Sequence, residues 1–258
     1  MTINFNFPKK IQKYLNGLSY QSDSVGQSSA NILIFENYVL KIQEVCEEAE
    51  NEVFALKWLK NKIAVPELFE YVIEDNKLYL LMERIKTTSI NFKNLDLVTT
   101  MLANILKRLW MLDISTFSKK TSLLEAASYN IEKNLIDMNH VQPETFGKSG
   151  FRTPSDLLAW LEENKPKGDL VFTHGDFTLA NILINDNQLG TLIDLGKSGP
   201  ADRWQDIAIC LRSLYSNIEK HYPNLYDKET IQNMILDKLQ IPLNKEKLNY
   251  YILLDELF

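Results

Sequence analysis

The pattern of apolar and polar residues changes along the chain, and the change predicts two structural regions. In the first region, short apolar runs alternate with small polar turns, which predicts strands over residues 19–42, 68–73 and 77–82. Apolar positions at helical spacing predict a helix at 46–60, and a weaker amphipathic pattern predicts a short helix at 9–18. These elements predict a small antiparallel sheet with an accompanying helix.

From Leu95 onward the apolar residues recur at helical spacing, which predicts a mainly helical second region. The stretch 139–154 contains two Pro and two Gly residues and is predicted to be a long loop. The helices are predicted at 95–109, 129–138, 155–164, 204–215 and 231–239, and residues 245–258 again carry apolar side chains on one side.

A short polar stretch, Glu83–Thr87, separates the two regions. We therefore expect an N-terminal domain at residues 1–84 and a C-terminal domain at 85–258, joined by a linker at about 83–87. The fold class expected from these elements is α+β, with two lobes.

The composition is that of a soluble globular protein. The chain has 258 residues, of which 45% are hydrophobic and 24% charged, so it can bury a large core. Its net charge of −6 and predicted pI of 5.3 argue against a nucleic-acid partner.

The expected cellular compartment follows from the N-terminal sequence, the most apolar long region and the cysteines. The N-terminus lacks the apolar core of a signal peptide, and the most apolar long region, 95–112, contains Asn104, Lys107 and Arg108. The two cysteines, Cys46 and Cys210, do not make a disulfide framework, and we expect buried free thiols. We expect a cytoplasmic protein with no membrane partner, as a monomer or a weak dimer.

Candidate chemistry concentrates around residues 170–206. Two apolar runs flank the turn-forming residues 185–188, which predicts a hairpin that brings Asn181 and Asp194 close together, with Asp176 on the loop before it. Carboxylate and amide oxygens suit Mg²⁺. The D-x4-N spacing followed by Asp-Leu-Gly is also the protein-kinase pattern of a catalytic aspartate and two metal ligands. The alternative is an ordinary loop and hairpin.

The first region offers a second set of candidates. The small polar turn 25–30, with Gly26, would let backbone N–H groups approach a phosphate, although it also suits an ordinary hairpin. Lys41 lies between apolar residues of a predicted strand, so it either faces solvent at an edge or binds nucleotide phosphates. In the second case Glu52, on the helix that follows, is the predicted partner of the lysine.

Three motifs carry a resemblance to a known family. They read HGDFTLANILI from His174, LIDLGKSGPADRWQDIA from Leu192 and YYILLDELF from Tyr250. On these motifs the chain resembles the aminoglycoside phosphotransferases, bacterial antibiotic-resistance enzymes with a protein-kinase-like fold, and the last motif resembles the 3'-phosphotransferase branch. The resemblance extends over the whole chain. It implies a small N-terminal antiparallel sheet plus helix and a larger, mainly helical C-terminal lobe.

The resemblance implies ATP and Mg²⁺ as cofactors. By this resemblance Asp176 orients or deprotonates the substrate hydroxyl, and Asn181 and Asp194 bind the magnesium ion. His174 is implied to support the loop, and Asp206 to brace it. The nucleotide-binding residues that the resemblance implies are Gly26, Ser28, Lys41, Glu52, Met82 and Ile85.

Aminoglycosides are polycations, so a site for them needs carboxylates. Asp255, Glu256 and the terminal carboxylate of Phe258 lie within four residues, and relatives use such groups to hold ammonium ions. The alternative is an acidic helix end that frays in solvent, but the apolar Leu254 and Leu257 indicate a docked end. The other predicted substrate-binding residues are Lys197, Arg212 and Glu144.

The sequence departs from the family at several positions. Val39 stands where a close relative has an aromatic residue that stacks on adenine, and Lys197 stands where the family usually has arginine. After Arg212, Tyr215–Asn217 replaces an acidic pair. Arg212 itself is either a paired charge or faces the active site.

The function expected from these observations is Mg²⁺- and ATP-dependent phosphorylation of an aminoglycoside hydroxyl, the 3'-hydroxyl first of all. Two alternatives stay open at this point. One is a kinase of another small alcohol, such as choline or a sugar. The other is a non-catalytic drug-binding protein of the same fold.

Overall fold

The structure is a computed structural model, and it describes residues 7–23, 30–87, 93–119, 122–138, 141–148, 150–184 and 190–258. Two compact units make up the chain. The first unit is drawn from residues 1–89 and 181–198, and the second unit from residues 90–180 and 199–258. The division into contiguous domains at residue 84 stays a prediction.

The helices and strands are named here in chain order. The helices are α1 (Lys9–Leu15), α2 (Glu47–Leu59), α3 (Leu95–Trp110), α4 (Leu123–Lys133), α5 (Pro154–Glu163), α6 (Arg203–His221), α7 (Lys228–Leu239) and α8 (Lys245–Asp255). The strands are β1 (Gln21–Asp23), β2 (Asn31–Ile34), β3 (Tyr38–Glu44), β4 (Leu68–Glu74), β5 (Lys77–Glu83), β6 (Leu170–Thr173), β7 (Ile182–Ile184), β8 (Gly190–Leu192) and β9 (Gly199–Asp202).

The first unit contains an antiparallel sheet in the order β1-β2-β3-β5-β4. Its core is apolar, with Leu33, Leu40 and Leu81 from the sheet packed with Ile11 of α1. β3 is a central strand between β2 and β5, so a charged residue on it needs a specific partner. Lys41 lies on this strand, opposite Leu80 of β5.

The predicted hairpin is confirmed within the first unit. β7 and β8 pair antiparallel, with Ile182 opposite Leu192 and Ile184 opposite Gly190. The residues that connect them, 185–189, lie outside the described residues. At the start of the hairpin, the carbonyl of Asn181 accepts the N–H of Ile193 at 3.1 Å.

The second unit contains six helices among its described residues and the two-stranded pair β6–β9. This pair was not predicted, because four-residue strands leave little periodicity and β9 reads Gly-Pro-Ala-Asp. Its position matters for the site. β6 leads into His174, and β9 leads into α6.

The prediction of a helix at 129–138 was wrong in its bounds, since α4 runs from Leu123 to Lys133. The hydroxyl of Ser122 accepts the N–H of Glu125 at 3.3 Å and begins the helix early. Asn134 adopts a left-handed conformation, with φ 55°, and ends the helix. Local capping by Ser122 and Asn134 therefore sets the bounds of α4, and the apolar pattern does not report them.

Both cysteines are free thiols, but only Cys210 is buried as expected. Cys46 is exposed because it caps α2, where its sulfur accepts the N–H of Ala49 at 3.5 Å. Among the described residues, no helix is both long and apolar enough to cross a membrane.

Candidate active site

In the first unit, Lys41 is the centre of a charged cluster. Its ammonium lies 2.8 Å from Oε2 of Glu52 and 2.7 Å from Oδ1 of Asp194. Gln43, two residues along β3, also donates to Glu52 at 3.2 Å. The predicted pairing of Lys41 with Glu52 is therefore confirmed, and the pairing with Asp194 is an additional finding.

The charges in this cluster are strongly coupled. Burial lowers the pKa of Lys41, but the carboxylates of Glu52 and Asp194 outweigh burial and leave the pKa above its ordinary value. Burial raises the pKa of Glu52, and the Lys41 ammonium opposes that rise. Lys41 therefore remains a cation at neutral pH, and it is held on a rigid central strand.

Asp194 lies in a left-handed turn directly after the hairpin. Its φ of 57° and ψ of 59° are uncommon for residues other than glycine, although Asp and Asn adopt them more readily than most. A short 3-10 turn, Leu195–Lys197, follows. The Asp194 side chain is 40% exposed, so its carboxylate is accessible as well as paired.

The turn after Asp194 packs closely on α2. A Cβ added at Gly196 would lie 2.4 Å from Cγ of Glu48 and 3.0 Å from the Glu48 carbonyl oxygen. A larger residue would require the Glu48 side chain to move and would press on the backbone of α2. Close packing against Glu48 thus explains why glycine occupies the third position of the Asp-Leu-Gly motif.

Asn51 joins the same two elements by hydrogen bonds. Its side-chain amide donates to the carbonyl oxygens of Gly196 and Ser198, both at 2.8 Å. Asn51 is 3% exposed and precedes Glu52, so α2 holds the Asp194 turn beside the lysine partner. Sequence reasoning missed Asn51, although a polar residue beside the core positions of a helix was a possible signal.

Asn181 and Asp194 have the oxygen donors that Mg²⁺ prefers. Asn181 is 9% exposed, at the start of the hairpin that leads to Asp194. The Lys41 ammonium already contacts one oxygen of Asp194. Among the described residues, no cluster of three or more His, Cys, Asp or Glu residues could hold a metal. Magnesium here would need further oxygens, such as those of a nucleotide.

The predicted adenine contacts Met82 and Ile85 lie at the end of β5 and directly after it. Met82 of β5 is 8% exposed and lies opposite Val39 of β3. Ile85 follows β5 and is half-buried. Gly26 and Ser28 lie outside the described residues, and the nucleotide-binding roles of all four predicted residues stay predictions.

In the second unit, the loop that carries Asp176 is held by side-chain hydrogen bonds. The carboxylate of Asp206 accepts the N–H of His174 at 2.7 Å and the N–H of Gly175 at 2.9 Å. Nδ1 of His174 accepts the N–H of Asp176 at 3.3 Å. These contacts give His174 and Asp206 the bracing roles that the resemblance implied.

Two further contacts hold the same loop. Gln205 of α6 donates to the Gly175 carbonyl at 3.0 Å, and Ser213 accepts the N–H of Leu179 at 3.0 Å. Sequence reasoning missed both residues. Gln205 lies in a buried segment of α6, where Asp206 is the neighbouring polar residue, and its polarity was the available signal.

Asp206 is completely enclosed. Burial raises its pKa to about 7, the N–H groups of His174 and Gly175 oppose the rise, and the charge of Asp176 adds to it. The loop that carries Asp176 is therefore braced by a carboxyl group that can change its charge near neutral pH.

The end of the chain is docked, as predicted. Leu257 has no exposed surface, and Leu254 is 4% exposed. The side-chain amide of Asn130, on α4, donates to the Leu257 carbonyl at 2.9 Å. The alternative of an end that frays in solvent is therefore excluded for α8 and the residues after it.

Arg212 of α6 is a paired charge. Its guanidinium donates to Asp255 at 2.6 Å and lies 3.0 Å from Oε1 of Glu256. The N–H of Gln142 donates to the other oxygen of Glu256 at 2.7 Å. Burial raises the pKa of Glu256, and Arg212 and Gln142 oppose the rise, whereas Asp255 and Glu144 add to it. Two acidic side chains, Asp255 and Glu256, therefore share the Arg212 cation, and the charge of Glu144 acts on Glu256.

The prediction for Glu256 needs correction. Its side chain has no exposed surface and holds Arg212 and the backbone at Gln142, so it is not available to a bound ammonium in this structure. Burial of the final turn places this carboxylate inside. Asp255 is partly exposed and Glu144 is exposed, and their substrate-binding roles stay predictions.

The remaining predicted substrate residues are half-buried. Phe258 follows the docked Leu257, and its N–H donates to the carbonyl of Asp255 at 3.3 Å. Lys197 belongs to the first unit, at the end of the 3-10 turn after Asp194. Their roles, and that of Arg212, also stay predictions.

The strand lysine paired with a helix glutamate, the braced aspartate loop and the Asp-Leu-Gly turn define a phosphotransferase of the protein-kinase-like class. Two solved structures have the same fold. An aminoglycoside-3'-phosphotransferase of type VIII has a TM-score of 0.77 at 23% identity, covering 96% of this chain and 97% of that one. Aminoglycoside phosphotransferase APH(3'')-Id from Streptomyces rimosus, in complex with ADP and streptomycin, has a TM-score of 0.78 at 17% identity, covering 96% and 95%.

The sequence comparison is more specific. The profile of the phosphotransferase enzyme family matches residues 19–228. The chain is 31% identical to an aminoglycoside 3'-phosphotransferase of Enterococcus faecalis over its whole length and over 99% of that protein. The chain therefore belongs to the aminoglycoside phosphotransferase family.

Proposed function

We propose that this protein transfers the γ-phosphoryl group of ATP to the 3'-hydroxyl of aminoglycoside antibiotics and so confers resistance to them. The observation that supports this chemistry is the contact of the Lys41 ammonium with the carboxylates of both Glu52 and Asp194. The acceptor and its position are supported by the full-length similarity to an aminoglycoside 3'-phosphotransferase.

In the proposed reaction the first unit binds the nucleotide. The Lys41 ammonium neutralises phosphate charge, and Glu52 keeps the lysine extended from the central strand. Asn181 and Asp194 would hold Mg²⁺, which when bound would neutralise charge on the phosphate oxygens. Met82 and Ile85 line the adenine site.

The second unit supplies the group that acts on the acceptor. Asp176 accepts a hydrogen bond from the attacking hydroxyl and takes its proton as the new oxygen–phosphorus bond forms. In the same step the bond between the γ-phosphorus and the bridging oxygen breaks, and ADP leaves with that oxygen. Because Asp206 and His174 hold the backbone around it, Asp176 is placed before the substrate binds. Asp255 and Glu144 supply negative charge for the ammonium groups of the drug.

A pair of closely related drugs tests both the activity and the position. Kanamycin B and tobramycin differ only in the 3'-hydroxyl, which tobramycin lacks. With ATP and Mg²⁺, the purified protein is expected to release ADP in the presence of kanamycin B and not of tobramycin. Phosphorylation of both drugs would place the reaction at another hydroxyl, and turnover of neither would remove the proposal.

The matched control changes only the reacting carboxylate. Asp176→Asn keeps the size of the side chain but cannot take a proton, so the rate is expected to fall by about 10² to 10⁴. Because the side chain is half-buried and its backbone N–H remains, the thermal unfolding of the variant should match that of the wild type. Undiminished turnover would exclude the role given to Asp176.

A kinase of another small alcohol is the second candidate. The partly exposed Asp255 and the exposed Glu144 argue against it, because a neutral or singly charged acceptor does not need two acids. Choline and glucose, offered with ATP and Mg²⁺, are expected to give no ADP above the background. Removal of Leu257 and Phe258 is a poor test, because Leu257 is enclosed and its loss would also unfold the end of the chain.

A further inference from the structure

We propose that Gln205 is a positioning residue for Asp176, because it fixes the orientation of the peptide unit that joins Gly175 to Asp176. This inference rests on the proposed function, in which Asp176 is the group that meets the acceptor hydroxyl. We expect Gln205 to act only through the loop backbone, without contact with a substrate.

The peptide unit between Gly175 and Asp176 is held at both of its polar ends. Its carbonyl oxygen accepts from Nε2 of Gln205 at 3.0 Å, and its N–H donates to Nδ1 of His174 at 3.3 Å. The preceding peptide unit is held separately, by Asp206. Gln205 is thus the side chain that holds the carbonyl side of the unit leading into Asp176.

The flexibility of Gly175 is the reason why the peptide unit after it must be fixed by hydrogen bonds. Its φ of 87° lies in the left-handed region, where glycine moves with little steric resistance. Rotation of the peptide unit after Gly175 changes ψ of Gly175 and φ of Asp176 together. The second of these torsions sets the direction of the Asp176 side chain, so a fixed peptide plane fixes the carboxylate.

The cost of placing Gln205 here supports a role beyond packing. The side chain is 2% exposed, and no described residue donates to its Oε1. A buried acceptor without a donor is unfavourable, and an apolar residue of the same length would avoid it. The amide is oriented with Nε2 toward Gly175, because the Gly175 carbonyl can only accept.

Gln205→Met is the test variant, since methionine has a similar length and lacks both the donor and the orphan acceptor. We expect kcat to fall by about 10- to 100-fold, because a misplaced catalytic group loses rate in the chemical step. KM for ATP and for kanamycin B should stay within about twofold, because neither substrate contacts Gln205. An unchanged kcat in the folded variant would overturn the inference, and so would a rise in KM alone.

Thr99→Val is the matched control. Thr99 is fully buried in α3, and its hydroxyl donates to the Leu95 carbonyl at 2.8 Å, so the variant also loses one buried side chain–backbone hydrogen bond. It should keep kcat, and its melting temperature should fall at least as much as that of Gln205→Met. If both variants lose kcat in proportion to their unfolded fraction, Gln205 has only a structural role.

Amide hydrogen exchange gives a readout that does not depend on turnover. In Gln205→Met the N–H of Asp176 should exchange at least about tenfold faster, because the peptide unit is then held at one end only. The N–H of Leu179, held by Ser213, should exchange at the wild-type rate. Unchanged exchange at Asp176 would contradict the inference.

The two proposals can fail separately. If wild type does not phosphorylate kanamycin B, the proposed function fails, and the exchange of the Asp176 amide still tests Gln205. If wild type is active and Gln205→Met matches it in both kcat and exchange, only the positioning role fails. Should Gln205→Met not fold, Gln205→Ala also lacks the donor and is too small to overpack the site, so the same losses are expected.

Discussion

The ammonium of Lys41 donates to the carboxylate of Asp194 at 2.7 Å, across 153 residues of sequence. The same nitrogen bonds Glu52, so one cation joins the central strand, helix α2 and the turn after the hairpin. This contact places the aspartate that is predicted to bind the metal and the lysine that is predicted to bind phosphate in one cluster within the first unit.

Removing the shared cation should destabilise the first unit. Lys41→Met leaves the enclosed carboxylate of Glu52 without its counter-charge, and breaking a buried pair in this way costs about 3 to 5 kcal/mol. The double variant Lys41→Met with Glu52→Gln should recover part of that loss. Urea unfolding of the two single variants and the double variant measures the coupling. Purely additive effects would mean that the pair contributes nothing specific.

Substitution of Gly196 should separate α2 from the Asp194 turn. In Gly196→Ala the new methyl group meets Glu48 at 2.4 Å, so the free energy of unfolding should fall by about 1 to 3 kcal/mol, the usual cost of overpacking. Adding Glu48→Ala should relieve part of the clash. Gly168→Ala is the control, because its methyl group would lie 3.6 Å from Leu170, an ordinary contact. Equal stability of the two alanine variants would contradict the packing role of Gly196.

The enclosed Asp206 should make stability depend on pH. Its pKa is about 7 in the folded protein and near the ordinary 3.8 in the unfolded chain. Between these values the folded state holds one more proton than the unfolded state, so stability falls as the pH rises. The slope reaches about 1.4 kcal/mol per pH unit and is smaller near each of the two pKa values, so this group accounts for a loss of about 3 kcal/mol from pH 4 to pH 7.

Asp206→Asn removes this contribution and should flatten the pH dependence of the urea midpoint over that range. The exposed Asp237→Asn is the control and should keep the wild-type slope. A wild-type slope in Asp206→Asn would show that other groups cause the dependence. Because Asp206 also holds the loop backbone, Asp206→Asn should lose activity at every pH.

The exposed Glu144 should contribute to binding of a cationic drug. Its charge acts on Glu256, so Glu144 lies close to the acids at the end of the chain. For Glu144→Gln we expect a rise of about two- to tenfold in KM for kanamycin B, smaller at high salt, with kcat and KM for ATP unchanged. Glu163→Gln, an exposed acid at the end of α5, is the charge-matched control. A similar rise in both variants would indicate only a general effect of net charge.

Several site features could be predicted because their signals are local. The hairpin between Asn181 and Asp194 follows from two apolar runs around turn residues. The pairing of Lys41 with Glu52 follows from a lysine on an apolar strand and an acidic helix directly after it. Short-range geometry decides such features, and the side-chain pattern reports short-range geometry directly.

Other features could not be predicted from local patterns. The bounds of α4 depended on Ser122 and Asn134, whose capping overrode the apolar periodicity. The enclosure of Glu256 and its contacts with Arg212 and Gln142 depend on how the last turn packs against α6 and the loop before α5. An acidic chain end has the same sequence whether it is exposed or enclosed.

The sequence by itself determined the family, the antiparallel sheet with its helix, and the residue types of the phosphotransfer chemistry. Periodicity and motif spacing are properties of the chain alone. Only the tertiary structure decided that Lys41 also binds Asp194, that Asn51 fastens the Asp194 turn to α2, and that Gln205 holds the backbone before Asp176. These contacts join residues far apart in sequence. The donor side chains of Lys41, Asn51 and Gln205 are buried, so each of them needs a partner within the protein.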